Sequence, residues 1–132
     1  MDVKMKLRSY LPAFRYAITC ADRLDAIRGT LIKSPKMDGM PRSQSVGGLE
    51  IIAAAIDAEE KRLTKARTKA LAILDEIEDM IDSLDDYDAK KVMRLHYIDG
   101  LTWEQVATAS HWSESTVRRI HGRALEELRR RP

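Results

Sequence analysis

A long, regular repeat of apolar residues runs through the middle of this chain of 132 residues. The spacing alternates between three and four residues over the series Leu49, Ile52, Ile56, Glu59, Leu63, Ala66, Ala70, Ile73, Ile77, Met80 and Leu84. Such a heptad register predicts one long coiled-coil helix over residues 49–84, about 50 Å in length at 1.5 Å per residue. This repeat constrains the fold strongly, because an apolar seam of this length needs a partner helix.

The partner of this seam has two candidate sources. Residues 1–34 carry apolar positions at helical spacing and predict an N-terminal amphipathic helix. Either this helix folds back antiparallel along part of the seam, or a second copy of the chain covers the remainder. We expect both, with a homodimer formed through residues 49–84. The one charged member of the repeat, Glu59, would be costly in a dry seam unless it is paired or lies near an end.

Composition favours helix throughout the chain. Glycine and proline number only 6 and 4, and 33% of the residues are charged, as in soluble helical proteins. Residues 35–48 hold Pro35, Gly39, Pro41, Gly47 and Gly48, and they predict a flexible linker. No apolar run is long enough to span a membrane, and the N-terminal residues lack the apolar core expected of a secretory signal. The single cysteine, Cys20, is expected to be a buried, inert thiol in a cytoplasmic protein.

The segment from Leu101 to Ile120 suits two helices that are joined by a tight turn. Thr102 with Gln105 three residues later matches a capping box, and Ser113 can cap the following helix. Apolar residues then recur at helical spacing and are expected to face inward, namely Val117, Ile120, Ala124, Leu125 and Leu128. This pattern predicts a helix-turn-helix.

A further helix over residues 89–98 precedes this pair, with Asp86 or Asp88 as its natural cap. It completes a three-helix unit within residues 85–132. The predicted fold class is therefore all-α, with a long helical hairpin or coiled coil followed by a three-helix helix-turn-helix unit.

The outward face of the last helix is polar and basic. Residues 113–132 hold six Arg and three Glu, a local charge of +3, although the whole chain carries only +2. Local positive charge is what phosphate contact requires, and an outward helix face can enter a major groove. The candidate DNA-binding residues are Ser113, Glu114, Ser115, Thr116, Arg118, Arg119, Gly122 and Arg123. Arg118 and Arg119 are expected to be the main contacts to double-stranded DNA, because Arg reads guanine bidentately.

The same segment also has a family resemblance, carried by Tyr97, Gly100, Thr102, Val106–Ala107, Ser113, Thr116–Val117 and the run Arg123–Arg129. From Tyr97 to Arg129 the sequence resembles region 4 of the sigma-70 family, the part that reads promoter DNA. Over its whole length the chain is similar to small phage and prophage proteins with an N-terminal helical segment, a Met-Pro-containing linker, a long helix and this C-terminal unit. The resemblance implies a transcriptional regulator of the kind that controls phage late genes.

One residue departs from the resemblance. The turn position that such units usually fill with glycine is His111 here. That position needs a positive φ, which glycine adopts at little cost and histidine adopts uncommonly. We therefore predict an unusual, left-handed backbone at His111, with some local strain.

Two other functions fit the same pattern. One is a protein–protein adaptor, in which the coiled coil is the active part and the sigma-like unit docks on RNA polymerase. The other is a DNA-packaging protein similar to small terminase subunits, although those usually place the DNA-binding unit first.

The three histidines are too widely spaced, and lack a paired cysteine, for a structural zinc site. We expect no catalytic residue, no metal, no cofactor and no enzymatic activity, and we expect His121 to be a packing or backbone-contacting residue.

Overall fold

The computed structural model describes the backbone of residues 2–33 and 42–131 and the side chains of residues 2–30 and 48–131. Within these ranges the chain forms six α-helices and no strand. The helices are α1 Val3–Arg8, α2 Tyr10–Lys33, α3 Arg42–Asp82, α4 Tyr87–Tyr97, α5 Trp103–Ser110 and α6 Glu114–Arg129. The all-α prediction is confirmed. Among the described helices, none has the length and apolar character that a membrane crossing needs.

Several helix boundaries differ from the sequence-based prediction. By one or two residues, α3 ends at Asp82 rather than Leu84 and α4 spans Tyr87–Tyr97 rather than residues 89–98. Two differences are larger. The N-terminal helix is divided at Ser9, whose hydroxyl donates a hydrogen bond of 2.6 Å to the carbonyl oxygen of Lys6 and ends α1. The long helix begins at Arg42 rather than Leu49, so the last part of the predicted linker is helical. Glycine costs a helix interior about 1 kcal/mol relative to alanine but keeps its backbone hydrogen bond, so the glycines there weaken a helix without ending it. The rest of the predicted linker, residues 35–41, lies outside the described residues.

By its internal contacts the chain divides into two compact units. Unit 1 comprises Met1–Ala13 and Ala70–Pro132, and unit 2 comprises Phe14–Lys69. Each unit has its own cluster of buried apolar side chains.

Unit 2 is held together by apolar side chains at the contact between α2 and α3. Its buried members are Ala17, Cys20 and Leu24 of α2 with Leu63 and Ala66 of α3. Arg28 of α2 donates a hydrogen bond of 2.6 Å to the carboxylate of Glu60 of α3 on the exposed side. The N-terminal helix therefore covers part of the heptad seam, as predicted, and the Cys20 side chain is fully buried.

Glu59 is the charged residue that interrupts the seam, and it is only 9% exposed. Arg62 donates a hydrogen bond of 2.7 Å to its Oε1 atom. The Oε2 atom is buried and finds no hydrogen-bond partner among the described residues. The carboxylate is thus paired at one oxygen, and desolvation of the other offsets part of what the ion pair contributes.

Unit 1 is built around side chains from almost every helix that enters it. The wholly buried aliphatic and methionine side chains are Leu7 of α1, Ile77 and Ile81 of α3, Val92 and Met93 of α4, Val106 of α5 and Val117 of α6. Arg94 of α4 also binds Glu78 and Asp82 of α3, at 3.4 and 3.0 Å. The three C-terminal helices therefore share their core with α1 and the end of α3, and that end of the heptad seam is covered within the chain.

Candidate nucleic-acid interface

The connection between α4 and α5 is fixed by a left-handed glycine and a reciprocal cap. Gly100 has φ 76°, a conformation that glycine adopts without steric cost. The Thr102 hydroxyl then accepts from the Gln105 amide at 3.2 Å, and the Gln105 side-chain oxygen accepts from the Thr102 amide at 2.9 Å. The capping box predicted from the sequence is confirmed, and it fixes where α5 begins.

The turn between α5 and α6 depends on His111. Its φ is 60° and its ψ is 33°, which is left-handed backbone, and no other non-glycine residue in the described parts of the chain has a positive φ. The next amide, of Trp112, donates to the carbonyl oxygen of Ala107 at 3.1 Å. Ser113 then caps α6 by accepting from the Thr116 amide at 3.2 Å. The left-handed backbone predicted at His111 and the predicted Ser113 cap are both confirmed.

The inner face of α6 packs into the core of unit 1. All five apolar residues that the spacing placed inward are buried, between 0% and 7% exposed, namely Val117, Ile120, Ala124, Leu125 and Leu128. Trp103 and Trp112 lie at the edge of this core. Because a helix turns by about 100° per residue, this inner face determines which residues point outward.

The outer face of α6 gathers several of the candidate DNA-binding residues. Ser115, Arg119 and Gly122 are exposed and lie on the side opposite Val117, and Arg119 is about 200° around the helix from it. Arg123 is exposed beside them. Arg119 therefore lies near the centre of the outward face.

The remaining candidates lie at the edge of that face or in the cap. Arg118 is about 100° from the buried Val117 and binds the carboxylate of Glu114 at 3.1 Å, one turn earlier. The hydroxyls of Ser113 and Thr116 lie 2.8 Å apart, and Ser113 also holds the helix cap. These two hydroxyls already form hydrogen bonds at the start of α6. In this they differ from the exposed arginines on the outward face.

A buried polar contact links α4 to α6 behind this face. The Tyr97 hydroxyl and His121 Nε2 are hydrogen-bonded at 2.6 Å, and His121 is 8% exposed. The Trp103 ring lies 4.4 Å from the His121 ring, centroid to centroid. Trp103 also stacks on His96 at 3.8 Å, and His96 Nδ1 donates to the carbonyl oxygen of Leu101 at 2.8 Å.

Burial sets the charge state of this cluster. Burial is the main cause that lowers the pKa of His121 to about 4, and the nearby His96, Lys4, Arg8 and Arg129 lower it further. Burial also lowers the pKa of His96. His121 is consequently neutral at neutral pH, as a group in the core of a small unit needs to be.

The family comparison agrees with this geometry. Residues 80–130 match the family model of sigma-70, region 4. This confirms the resemblance predicted for the C-terminal part of the chain, and the match begins before α4, at the end of α3. No curated protein and no solved structure matches the chain. The helix-turn-helix within the region 4 match is thus of a DNA-binding type.

Sequence reasoning missed two features that support the region 4 segment from outside its local pattern. Leu7 of α1 is wholly buried in the same core as α6, although the residues from 1 to 34 were expected to serve the long helix. The hydrogen bond between Tyr97 and His121 joins residues 24 positions apart. Helical periodicity could place His121 on the inner edge of α6, but it carries no signal for the partner.

The left-handed backbone at His111 predicts the effect of restoring glycine. We expect His111→Gly to be neutral or to stabilise unit 1 by up to about 1 kcal/mol, because glycine adopts this conformation without the steric cost of a Cβ. Chemical denaturation of the parent and the variant measures the difference. As the matched control, His111→Val should destabilise, because a β-branched residue tolerates a positive φ poorly. A His111→Gly variant less stable than His111→Val would contradict the strain.

The low pKa of His121 predicts how stability depends on pH. The folded state holds the pKa near 4 whereas an unfolded histidine has about 6.5, so the unfolded chain binds the proton more readily. Stability should be fully present above pH 6.5 and should fall by up to about 3 kcal/mol as the pH drops toward 4. His121→Gln should remove this part of the slope. Equal slopes for parent and variant in denaturation curves between these pH values would show that His121 does not cause the loss.

Proposed function

We propose that this protein is a sequence-specific transcriptional regulator, phage or prophage encoded, that binds double-stranded DNA through α6. The observation that carries the proposal is the outward face of α6, where Arg119 and Arg123 are exposed within the part of the chain that matches sigma-70, region 4. The proposal assigns α6 to the major groove, as in other helix-turn-helix proteins. It assigns no catalytic role to any residue, and it places the protein in the cytoplasm with the transcription machinery.

The exposed arginines are given different roles. Arg119 is central on the outward face and carries no ion pair among the described residues, so we assign it to base edges. Arg118 lies at the edge and shares its charge with Glu114, so we assign it to the phosphate backbone. Arg123, one turn after Arg119, is a second candidate for either contact. RNA polymerase is a candidate partner, because a transcriptional regulator with a region 4 match can act by recruiting the enzyme or by blocking it.

A homodimer is part of the proposal. The buried part of the heptad seam, such as Ile77 at 0% exposed, is already covered within the chain and is not available to a second copy. The start of the predicted seam is different, because Leu49 is 55% exposed. Dimers of helix-turn-helix proteins bind two half-sites, and a second reading helix would add affinity to a chain of low net charge. We therefore assign the dimer contact to this end of α3.

The recognition proposal predicts a contrast between two arginines. DNA fragments selected by the parent from a random pool provide the ligand, and affinity is measured as a function of salt. Arg119→Ala should cost about 1–3 kcal/mol and relax the preference at one base position. Arg118→Ala should weaken all sequences alike and lower the salt slope by about one unit. Both variants should keep the parent's stability to within about 0.5 kcal/mol, since both side chains are exposed.

Val117→Asp is the control for folding in the same experiment. It should abolish binding by unfolding unit 1, because it leaves an unpaired charge at a wholly buried position. If both arginine variants fold and bind the selected DNA as tightly as the parent, α6 is not the reading helix. If the parent enriches no sequence at moderate salt, the regulator proposal fails, and the adaptor or DNA-packaging function takes its place.

The dimer proposal predicts a mass in solution. Light scattering at tens of micromolar should give twice the chain mass for the parent and the mass of one chain for the variant Leu49→Asp, which places a charge on the seam. Helix content should not change, because the Leu49 side chain is exposed. Leu71→Asp is the matched control, since Leu71 is 63% exposed on α3 but lies away from this end, and it should remain dimeric. A parent of single-chain mass would contradict the dimer.

A further inference from the structure

Gly122 lies on the outer face of α6, three residues after Arg119 and directly before Arg123. Glycine inside a helix is destabilising relative to alanine, because it loses more conformational freedom on folding. The occurrence of glycine instead of a better helix former at position 122 therefore needs an explanation. Nothing in the described fold supplies one, since a Cβ built at Gly122 would meet no heavy atom within 4 Å. Its φ is also not positive, unlike that of Gly100.

We propose that Gly122 is the point at which α6 approaches the DNA most closely. The inference rests on the proposed function and adds which residue lets the backbone of α6 come close to the DNA. A missing Cβ lets a helix backbone come nearer to a ligand than any other residue allows. Because Gly122 shares the outward face with Ser115 and Arg119, a side chain there would stand between the helix and the groove.

The position of Gly122 along α6 supports this assignment. Helix-turn-helix proteins contact base edges with the N-terminal residues of the recognition helix. Arg119 is in that part of α6, and Gly122 follows one turn later, where the helix passes the wall of the groove. A gap in the side chains at this point sets the depth of the helix, and with it the reach of Arg119 toward the base edges.

A series of substitutions at Gly122 separates this contact from an effect on folding. Gly122→Ala should raise the melting temperature by a few degrees and weaken binding to the selected DNA about tenfold, the loss expected when one base contact is displaced. Gly122→Leu should keep at least the parent's stability, because leucine is a good helix former, and should weaken binding further. Affinity should thus fall as the side chain grows while stability does not.

Gly29→Ala is the matched control. Gly29 is a helical glycine of α2 in unit 2, and a Cβ there would also meet no heavy atom within 4 Å. This variant should gain stability as Gly122→Ala does and should bind DNA as the parent does. If Gly122→Ala and Gly122→Leu bind as tightly as the parent, the inference is wrong while the proposed function stands. If Gly29→Ala loses affinity equally, the loss is not local to α6 and the inference is overturned. A parent that selects no DNA would overturn the proposed function together with this inference.

Discussion

The C-terminal part of the molecule depends on burial of the inner face of α6. The two faces of a helix cannot be set independently, so the register that buries Val117 also turns Arg119 outward. That register is secured at the start of the helix by the left-handed residue His111 and the cap from Ser113. It is secured along the helix by a core to which α1, α3, α4 and α5 all contribute. The orientation of the exposed arginines is therefore determined by buried contacts in which their side chains take no part.

The polar contact between Tyr97 and His121 adds specificity to this burial. Apolar side chains of similar size tolerate small shifts of one helix along another, whereas a hydrogen bond of 2.6 Å between two buried groups does not. Trp103 of α5 lies against the same histidine, so three helices meet at one ring. A neutral imidazole suits this position because a buried charge without a counter-ion would be costly. The cluster thus fixes the orientation of α6 relative to α4 without using any residue of the outward face.

Features that depend on residues close together in the sequence could be predicted, whereas features that depend on distant residues could not. The Thr102 cap, the Ser113 cap and the left-handed His111 depend on residues within four positions, and all three were predicted. The contribution of Leu7 to the core and the partner of His121 depend on residues far apart in the chain, for which periodicity has no signal. The start of α3 was placed at Leu49 instead of Arg42 because glycines were taken as an end signal. Their cost of about 1 kcal/mol each is smaller than what a long helix can absorb.

The heptad seam shows how a correct pattern leads to an incomplete interpretation. The repeat indicates that a helix face is apolar, but it does not distinguish a second chain from another part of the same chain. Here α2 covers the seam in unit 2, and the core of unit 1 covers its end from Ile77 onward. Only the start of the seam, at Leu49, keeps a largely exposed side chain. A long repeat therefore counts as evidence for a dimer only where its side chains remain exposed after the chain has folded on itself.

The distribution of charge bears on how a chain like this would recognise DNA. The whole chain carries +2, and the basic residues of 113–132 give only +3 locally. Counterion release rises with the number of phosphates neutralised, so nonspecific attraction to DNA is small for such a surface. Under the proposed function, affinity depends on the fit of a rigid helix and on the second reading helix of the proposed dimer, rather than on charge. The buried contacts behind α6 provide that rigidity, so the proposed recognition depends on residues of the core as well as on the outward face.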